Sequence, residues 1–307
     1  MPSIVTLTVN PAVDKNSTVE QVVAERKLRC EEPEYHPGGG GLNVARAIAE
    51  LGGSVEAYWA CGGPIGQLLK QLLDDEGVAH HPLEIRAHTR ENLIVYERSS
   101  DRQYRFGMPG ARLDTHEVQA CVDALHAIDP PPDYLILSGS LPPGVDEGFY
   151  ARVAEAMPSS CRVVLDTSGG PLQRGLEAPV YLVKPNMREL GQLAGREVED
   201  DAQIRDVARS LIDRGNIEAI VTSLGSGGAV LTTADDHQHV RAPTVSIRSK
   251  VGAGDSTVAG LVFALSQGKP LEEALRFGVA AGSAAVMTGG TELCRRDDTE
   301  WLYREMQ

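Results

Sequence analysis

Gly252-Ala253-Gly254-Asp255 is the segment whose residue types point most directly to chemistry. It follows the run Thr244–Ile247, which reads as a strand, and opens the small-residue stretch Ser256–Leu265, which reads as a helix. The start of a helix carries unpaired N–H groups and a partial positive charge, and so attracts anions. Glycine lets that backbone approach a phosphate closely. An acid at the same place repels a phosphate unless its task is to take a proton from an attacking hydroxyl. The combination points to phosphoryl transfer onto an alcohol, with Asp255 as the base and Gly252, Ala253 and Gly254 as the anion hole. The alternative is that Asp255 only caps the helix.

Other groups could serve such a reaction. Pro37-Gly38-Gly39-Gly40-Gly41-Leu42-Asn43 is a glycine run ending at a helix start, where Asn43 could hydrogen-bond a polar ligand; a plain flexible loop is the alternative. Asp14, in Asn10-Pro11-Ala12-Val13-Asp14, reads by itself as a turn aspartate. Ser138 opens Ser-Gly-Ser-Leu-Pro-Pro-Gly after an apolar strand, as either an active-edge loop or an ordinary turn. In Lys184-Pro185-Asn186-Met187-Arg188-Glu189, the spacing of Asn186 and Glu189 fits a capping box. It also fits a Glu189 that organises Mg²⁺, directly or through water, with Asp166 assisting or serving a turn. Ser223-Leu224-Gly225-Ser226-Gly227-Gly228 lies between two strands, as a glycine-rich hairpin or a nucleotide contact. It lacks the lysine of a Walker A loop. His80-His81 and His237-x-His239 have no evident acidic third ligand and are not expected to bind metal.

Short apolar runs alternate with helical stretches and must position these groups. Strands are expected at Ile4–Val9, Val55–Cys61, Tyr134–Ser138, Cys161–Asp166, Tyr181–Val183 and Ala219–Ser223. Helices are expected at Asn43–Leu51, Gly66–Glu76, Thr115–Ala127, Glu147–Met157, Asn186–Leu193 and Ala202–Arg214, the first capped by Asn43 or its predecessor. The pattern predicts a doubly wound α/β sheet with ligands at the strands' C-terminal ends. Two stretches, Lys15–Tyr35 and Glu91–Met108, break the alternation and read as antiparallel ribbon, with a hairpin turn at Ser99-Ser100-Asp101. Together they form a small lid. Its apolar residues Leu93, Val95 and Tyr96 are expected to pair with a second subunit, since a projecting ribbon is marginally stable alone.

Composition bounds the rest. The chain has 307 residues, 42% of them hydrophobic, with 32 glycines, consistent with one large α/β unit spanning 1–307. A net charge of −14 argues against nucleic-acid or acidic-membrane partners. An anionic substrate would need local basic groups such as Lys27, Arg29, Arg90, Arg105, Lys184, Arg188 or Lys250. Five cysteines with no C-x-x-C pair, no signal-peptide pattern and no apolar run of membrane-spanning length predict a reduced, cytoplasmic protein.

Taken together, the motifs resemble the PfkB branch of the ribokinase-like sugar kinases. NPAVD, PGGGGLNVARA, SGSLPPG, KPNMREL, SLGSGGA and VGAGDS occur in that family's order over essentially the whole chain. Within it the chain resembles the phosphosugar kinases, most of all the minor-type ATP-dependent 6-phosphofructokinases. Lys27-Leu28-Arg29-Cys30, Thr89-Arg90, Gln103-Tyr104-Arg105-Phe106, Arg276–Ala285 and Leu293-Cys294 belong to that likeness. The 1-phosphofructokinases and tagatose-6-phosphate kinases more often carry GGKG, where Gly40 stands here. The resemblance implies a three-layer ribokinase-like fold with a β lid, and ATP-dependent phosphorylation of fructose 6-phosphate. It implies that Asp255 is the base, that Asp14, Gly39 and Asn43 hold the sugar, and that Arg90, Arg105, Ser138 and Lys27 hold its phosphate. Lys184, Asn186, Ser223, Gly225 and Gly228 would line the ATP side, and Glu189 would join the Mg²⁺ network. A monovalent cation, K⁺ for instance, would sit on backbone carbonyls around Ser249, Val251, Ala285, Thr288, Gly290 and Glu292. A non-catalytic sugar-phosphate or nucleotide sensor on the same fold is the alternative from another class.

Overall fold

The computed structural model describes Ser3–Met306. In chain order it contains β1 (Ile4–Thr8), β2 (Ala12–Val19), β3 (Glu34–Gly38), α1 (Gly40–Glu50), β4 (Glu56–Cys61), α2 (Gly63–Asp75) and β5 (His80–Glu84). Then come β6 (Arg90–Glu97), β7 (Arg102–Phe106), α3 (Thr115–His126), β8 (Tyr134–Ser138), α4 (Phe149–Ala156), β9 (Arg162–Asp166), α5 (Gly169–Gly175) and β10 (Val180–Val183). The last third holds α6 (Met187–Ala194), α7 (Asp201–Ile212), β11 (Ile217–Ser223), β12 (Ala229–Thr233), β13 (His237–Val240), α8 (Ala253–Ser266), α9 (Leu271–Met287) and α10 (Arg296–Glu305).

The large sheet has nine strands in the order β13-β12-β11-β10-β9-β8-β1-β4-β5. All pairings from β5 to β11 are parallel, and β12 and β13 close the far edge as an antiparallel pair. β1 and β8 are buried at every position, as strands covered on both faces must be. One apolar cluster joins α1, α2, α8, α9 and α10 to one face of the sheet; a second joins α3 to α7 to the other. The fold is therefore three layers, α/β/α. The chain leaves β1 towards β4 and β5, then returns to β8 on β1's other side. Strand order thus reverses between β1 and β8, which opens a crevice at their C-terminal ends.

The second sheet has the order β3-β2-β6-β7. β2–β3 and β6–β7 are antiparallel hairpin pairs, and a parallel pairing of β2 with β6 joins them. The turn between β6 and β7 spans Arg98–Asp101, and Asp101 takes a positive φ of 56° there. Residues 20–33 of the expected first ribbon are irregular.

Two local expectations are corrected. Thr244–Ile247 forms no strand; it finds no pairing partner, and Ile247 is 56% exposed. The helix expected from Asn43 begins at Gly40 with Gly39 as N-cap, so the glycines build its first turn and Asn43 lies inside it. Val95 is buried within the chain, and strand alternation puts Tyr96 on the opposite face from Leu93 and Val95. Leu93 and Val95 therefore share one face of the lid and Tyr96 lies on the other.

Candidate active site

α8 begins at Ala253, behind Gly252, whose φ of 76° suits glycine. No side chain caps this terminus. Asp255 is not the N-cap but the third residue of the helix, and its side chain turns away from the backbone. Its Oδ2 accepts a 2.8 Å hydrogen bond from Asn43 Nδ2. Burial raises the Asp255 carboxyl to about 6, and the nearby Asp166 charge adds to the rise; Asn43, Lys184 and Arg46 oppose it. The site therefore combines free helix N–H groups with a carboxylate that titrates near neutrality, the condition for a general base.

Asn43 reaches Asp255 because the glycine run packs α1 tightly into the crevice. Gly39 has φ 117°, and a Cβ there would lie 2.8 Å from Thr8 Cγ2. A Cβ at Gly40 would lie 2.4 Å from Ser138 Oγ and 2.8 Å from the Gly139 nitrogen. The run is thus a packing surface against β1 and the end of β8 rather than a loose loop. A Cβ at Gly38 would lie 2.7 Å from Asp14 Oδ2. Asp14 sits inside β2, not in a turn, and is held by a 2.8 Å bond from Asn92 Nδ2.

The ends of the next strands complete the floor. Ser138 pairs in register with Asp166, and Lys184 follows β10. Lys184 Nζ lies 3.0 Å from Asp166 Oδ1 and would be 3.5 Å from a Cβ at Gly254, so it stands beside the first turn of α8. Burial lowers the Lys184 pKa, but Asp166, through charge and hydrogen bond, with Asp255 and Glu189, outweighs it and holds the ammonium above its usual value. Asp166 is therefore an ion-pair partner, not a turn residue. Asn186 and Glu189 form the capping box, with two reciprocal 2.9 Å bonds. The Asn186–Ser223 bridge ties this segment to the turn that carries Gly225 (φ 59°) and Gly228 (φ 93°).

A model of pfkB family carbohydrate kinases matches residues 6–298. The chain belongs to the PfkB family of carbohydrate kinases. The ATP-dependent 6-phosphofructokinase isozyme 2 of Mycobacterium tuberculosis is 44% identical over 304 residues, covering 98% of this chain and 89% of that protein. The crystal structure of Escherichia coli phosphofructokinase-2 in complex with potassium superposes with a TM-score of 0.95 at 41% identity, over 100% of this chain and 99% of that one. The complex of that enzyme with fructose-6-phosphate has a TM-score of 0.93 at 40% identity, with the same coverage.

In this PfkB kinase the remaining expected residues divide into two groups. Arg90 is brought to the crevice: its guanidinium donates to the carbonyls of Asn10 (3.2 Å) and Met108 (3.0 Å), and its Nε is buried without a partner. Burial lowers its pKa, against the pull of Asp14. Arg105 is exposed on β7 opposite Ile94, and strand register puts it on the lid face that carries Arg90, Asn92 and Asp14. Lys27 is exposed in the segment after β2, and no hydrogen bond or ion pair ties it to the crevice among the described residues. Three of the carbonyls expected to ligate a cation, those of Ala285, Gly290 and Glu292, accept bonds from the hydroxyls of Thr288 and Ser249. Thr288 Oγ1 bonds Ala285 O (2.7 Å) and Glu292 O (3.1 Å), and Ser249 Oγ bonds Gly290 O (2.7 Å) and accepts from Val251 N (3.2 Å). Among the described residues no group of three or more His, Cys, Asp or Glu is arranged to hold a metal by itself.

Sequence reasoning missed Asn92, Thr291 and Arg46. Asn92 Nδ2 and Oδ1 bridge Asp14 to the Met108 backbone, and Thr291 Oγ1 accepts from Asn16 Nδ2 to join the lid to the loop after α9. Arg46 donates to Asn43 Oδ1 at 3.3 Å. Only for Arg46 was there a local signal: it lies three residues after Asn43, hence on the same helix face.

Proposed function

We propose that this chain is an ATP-dependent 6-phosphofructokinase, transferring the γ-phosphoryl group of ATP to the 1-hydroxyl of fructose 6-phosphate. The observation that carries the reading is Asp255: a carboxylate titrating near neutrality in the first turn of an uncapped helix, with Asn43 donating to one oxygen. Among the described residues no protein group bonds its other oxygen, Oδ1, which is free to take the proton of the acceptor hydroxyl. The oxygen so activated attacks the γ-phosphorus, the bond to the β-phosphate oxygen breaks, and ADP leaves. The N–H groups of Ala253 and Gly254, with Lys184 beside them, face the charge that spreads over the transferring phosphoryl oxygens.

Asp14, Gly39 and Asn43 hold the sugar, and Arg90, Arg105, Ser138 and Lys27 hold its existing phosphate. Lys184, Asn186, Ser223, Gly225 and Gly228 face the nucleotide. Mg²⁺ bound with the ATP phosphates would neutralise their charge, and Glu189 and Asp166 would organise its water shell. A monovalent cation such as K⁺ would be held by backbone carbonyls of the segments around Ser249, Val251, Ala285, Thr288, Gly290 and Glu292. Similarity to the two phosphofructokinases supports the choice of fructose 6-phosphate, as does Gly40. A lysine there would drive its Cβ into Ser138 and Gly139, so the GGKG pattern does not fit this backbone. The chain works as one unit, a homodimer through the lid, in the cytoplasm. No described helix is long and apolar enough to cross a membrane.

An ADP-release assay across fructose 6-phosphate, fructose 1-phosphate, tagatose 6-phosphate and fructose tests the reading. Fructose 6-phosphate should give the highest kcat/KM. Preference for another ketose phosphate would replace the substrate and keep the kinase; turnover with none would leave a sensor.

A further inference from the structure

Arg46 is buried, with 9% of its side chain exposed, yet the reaction described so far gives it no part. Its Nε and Nη2 donate to the two carboxylate oxygens of Glu76 at 2.5 and 2.7 Å, a bidentate fork. Its Nη1 donates to Pro37 O at 3.0 Å and to Asn43 Oδ1 at 3.3 Å. Asn43 Nδ2 in turn donates to Asp255 Oδ2 at 2.8 Å. The chain of contacts runs from Glu76, after α2, through α1 to the first turn of α8.

An asparagine amide can turn over and exchange its donor and acceptor ends. Facing an ionised Asp255, Asn43 must present its NH₂. Facing a protonated Asp255, it could equally present its oxygen and accept the proton's hydrogen bond. Guanidinium has donors and no acceptor. Only the amide oxygen of Asn43 can therefore face Arg46, which leaves the NH₂ for Asp255. We infer that Arg46, clamped by Glu76, is a positioning residue: it locks the Asn43 amide in the orientation that favours the ionised, proton-accepting form of Asp255. The inference rests on Asp255 being the base. The Arg46 charge acts in the same direction as the lock. The other charged groups around Asp255 are Asp166 from β9 and Lys184 after β10, with Glu189 of α6 next to Lys184. None of them touches the Asn43 amide.

An open pocket of about 540 Å³ borders Arg46 and Glu76. It gives a small cation access to the space that a shortened residue 46 would leave.

The test is kcat/KM for fructose 6-phosphate in wild type, Arg46→Met and Arg46→Lys, from about pH 5 to about pH 9. Arg46→Met should move the acid limb up by roughly half to one pH unit, because the freed amide can accept from protonated Asp255. Its loss, roughly three- to tenfold well below pH 6, should shrink to about twofold or less near pH 7 and vanish as pH rises further. Arg46→Lys keeps a charged donor for Asn43 Oδ1 and should return the limb most of the way to wild type, although it cannot reproduce the fork. Guanidinium ion at millimolar concentration should restore part of the activity of Arg46→Ala. An acid limb that stays at the wild-type position, with a loss uniform across pH, overturns the inference. Where Arg46→Met does not fold, Glu76→Gln carries the test: it leaves Arg46 in place without its clamp and should move the limb the same way by less, and an unmoved limb again overturns it. Asp255→Asn separates the two readings. If that variant keeps its turnover, the base assignment fails and the inference with it. If it is inactive while the Arg46→Met limb stays fixed, only the role of Arg46 fails.

Discussion

Replacing Asp255 with asparagine should remove activity and at the same time stabilise the protein. The amide has the carboxylate's shape, and its oxygen can still accept from Asn43 Nδ2 in place of Oδ2. The other end then presents NH₂, a donor, to an acceptor hydroxyl that needs its proton removed. Loss of a general base costs about 10²–10⁴-fold in kcat. The stability effect has the opposite sign. Asp255 titrates at about 6 in the folded chain against an ordinary 3.8, so the folded state pays for ionising it. A rise of about two units converts to a ceiling of about 3 kcal/mol; screening by solvent in the cleft cuts this to about 1 kcal/mol. For a chain of this length that raises Tm by about 1–3 °C. Between the two pKa values the folded state binds more protons than the unfolded one, so wild-type stability falls as pH rises from about 4 to about 6. The asparagine variant should therefore melt higher than wild type above pH 6 and lose that advantage below about pH 4. Wild-type kcat/KM should fall as pH drops through about 6. Single-turnover and steady-state kinetics with calorimetry at several pH values measure both effects. A kcat within a few-fold of wild type, or a lower Tm at neutral pH, would refute the reasoning.

Arg105→Ala should raise KM for fructose 6-phosphate about 10- to 150-fold with no change in Tm, since the side chain is exposed and makes no bond among the described residues. Arg90→Ala should show a similar kinetic loss and a lower Tm as well, because it also removes the bridge between the Asn10 and Met108 carbonyls. Glu189→Gln should keep Tm, since the amide oxygen can still accept from Asn186 N, but should shift the activation curve to higher free Mg²⁺; an unchanged curve would leave Glu189 as a cap alone. Gly39→Ala should cost about 1–3 kcal/mol by denaturant titration and most of the activity, because φ 117° and Thr8 at 2.8 Å both resist a Cβ and α1 must shift.

The parts of the fold that depend on local pattern were legible in the sequence. β1 (Ile-Val-Thr-Leu-Thr) and β8 (Tyr-Leu-Ile-Leu-Ser) are short, mostly apolar runs that read as buried parallel strands, and both are buried throughout. The turn signals between β6 and β7 likewise named their hairpin. Thr244–Ile247 alternates as a strand does, but a strand needs a neighbour, and the antiparallel pair β12–β13 already forms that edge of the sheet. The α1 start was placed too late because glycine weakens a helix interior on propensity alone. Packing decided otherwise: Thr8, Ser138 and Asp14 leave no room for any larger residue.

The site was legible as a set of residues but not as a set of contacts. Asp255 and Asn43 each sit at a helix start that sequence can mark, yet they are 212 positions apart, and nothing local says that one bonds the other. Asp166 and Lys184 likewise give no local sign of their ion pair: one reads as the end of a strand, the other as the start of the segment after the next strand. Strand order supplies what is missing. β1 and β8 are neighbours where the order reverses, so the glycine run leading from β3 into α1 packs against Thr8 at the end of β1 and Ser138 at the end of β8, and α1 is pressed into the crevice with Asn43 directed at α8. Asp255 then owes its raised pKa to burial beside Asp166, two strands from β1, and its remaining ionisation to Asn43, Lys184 and Arg46, which arrive from separate elements. A base that titrates near neutral pH is in this sense a property of the topology. Moving any one of these elements would change the proton affinity of Asp255 before it changed the fold.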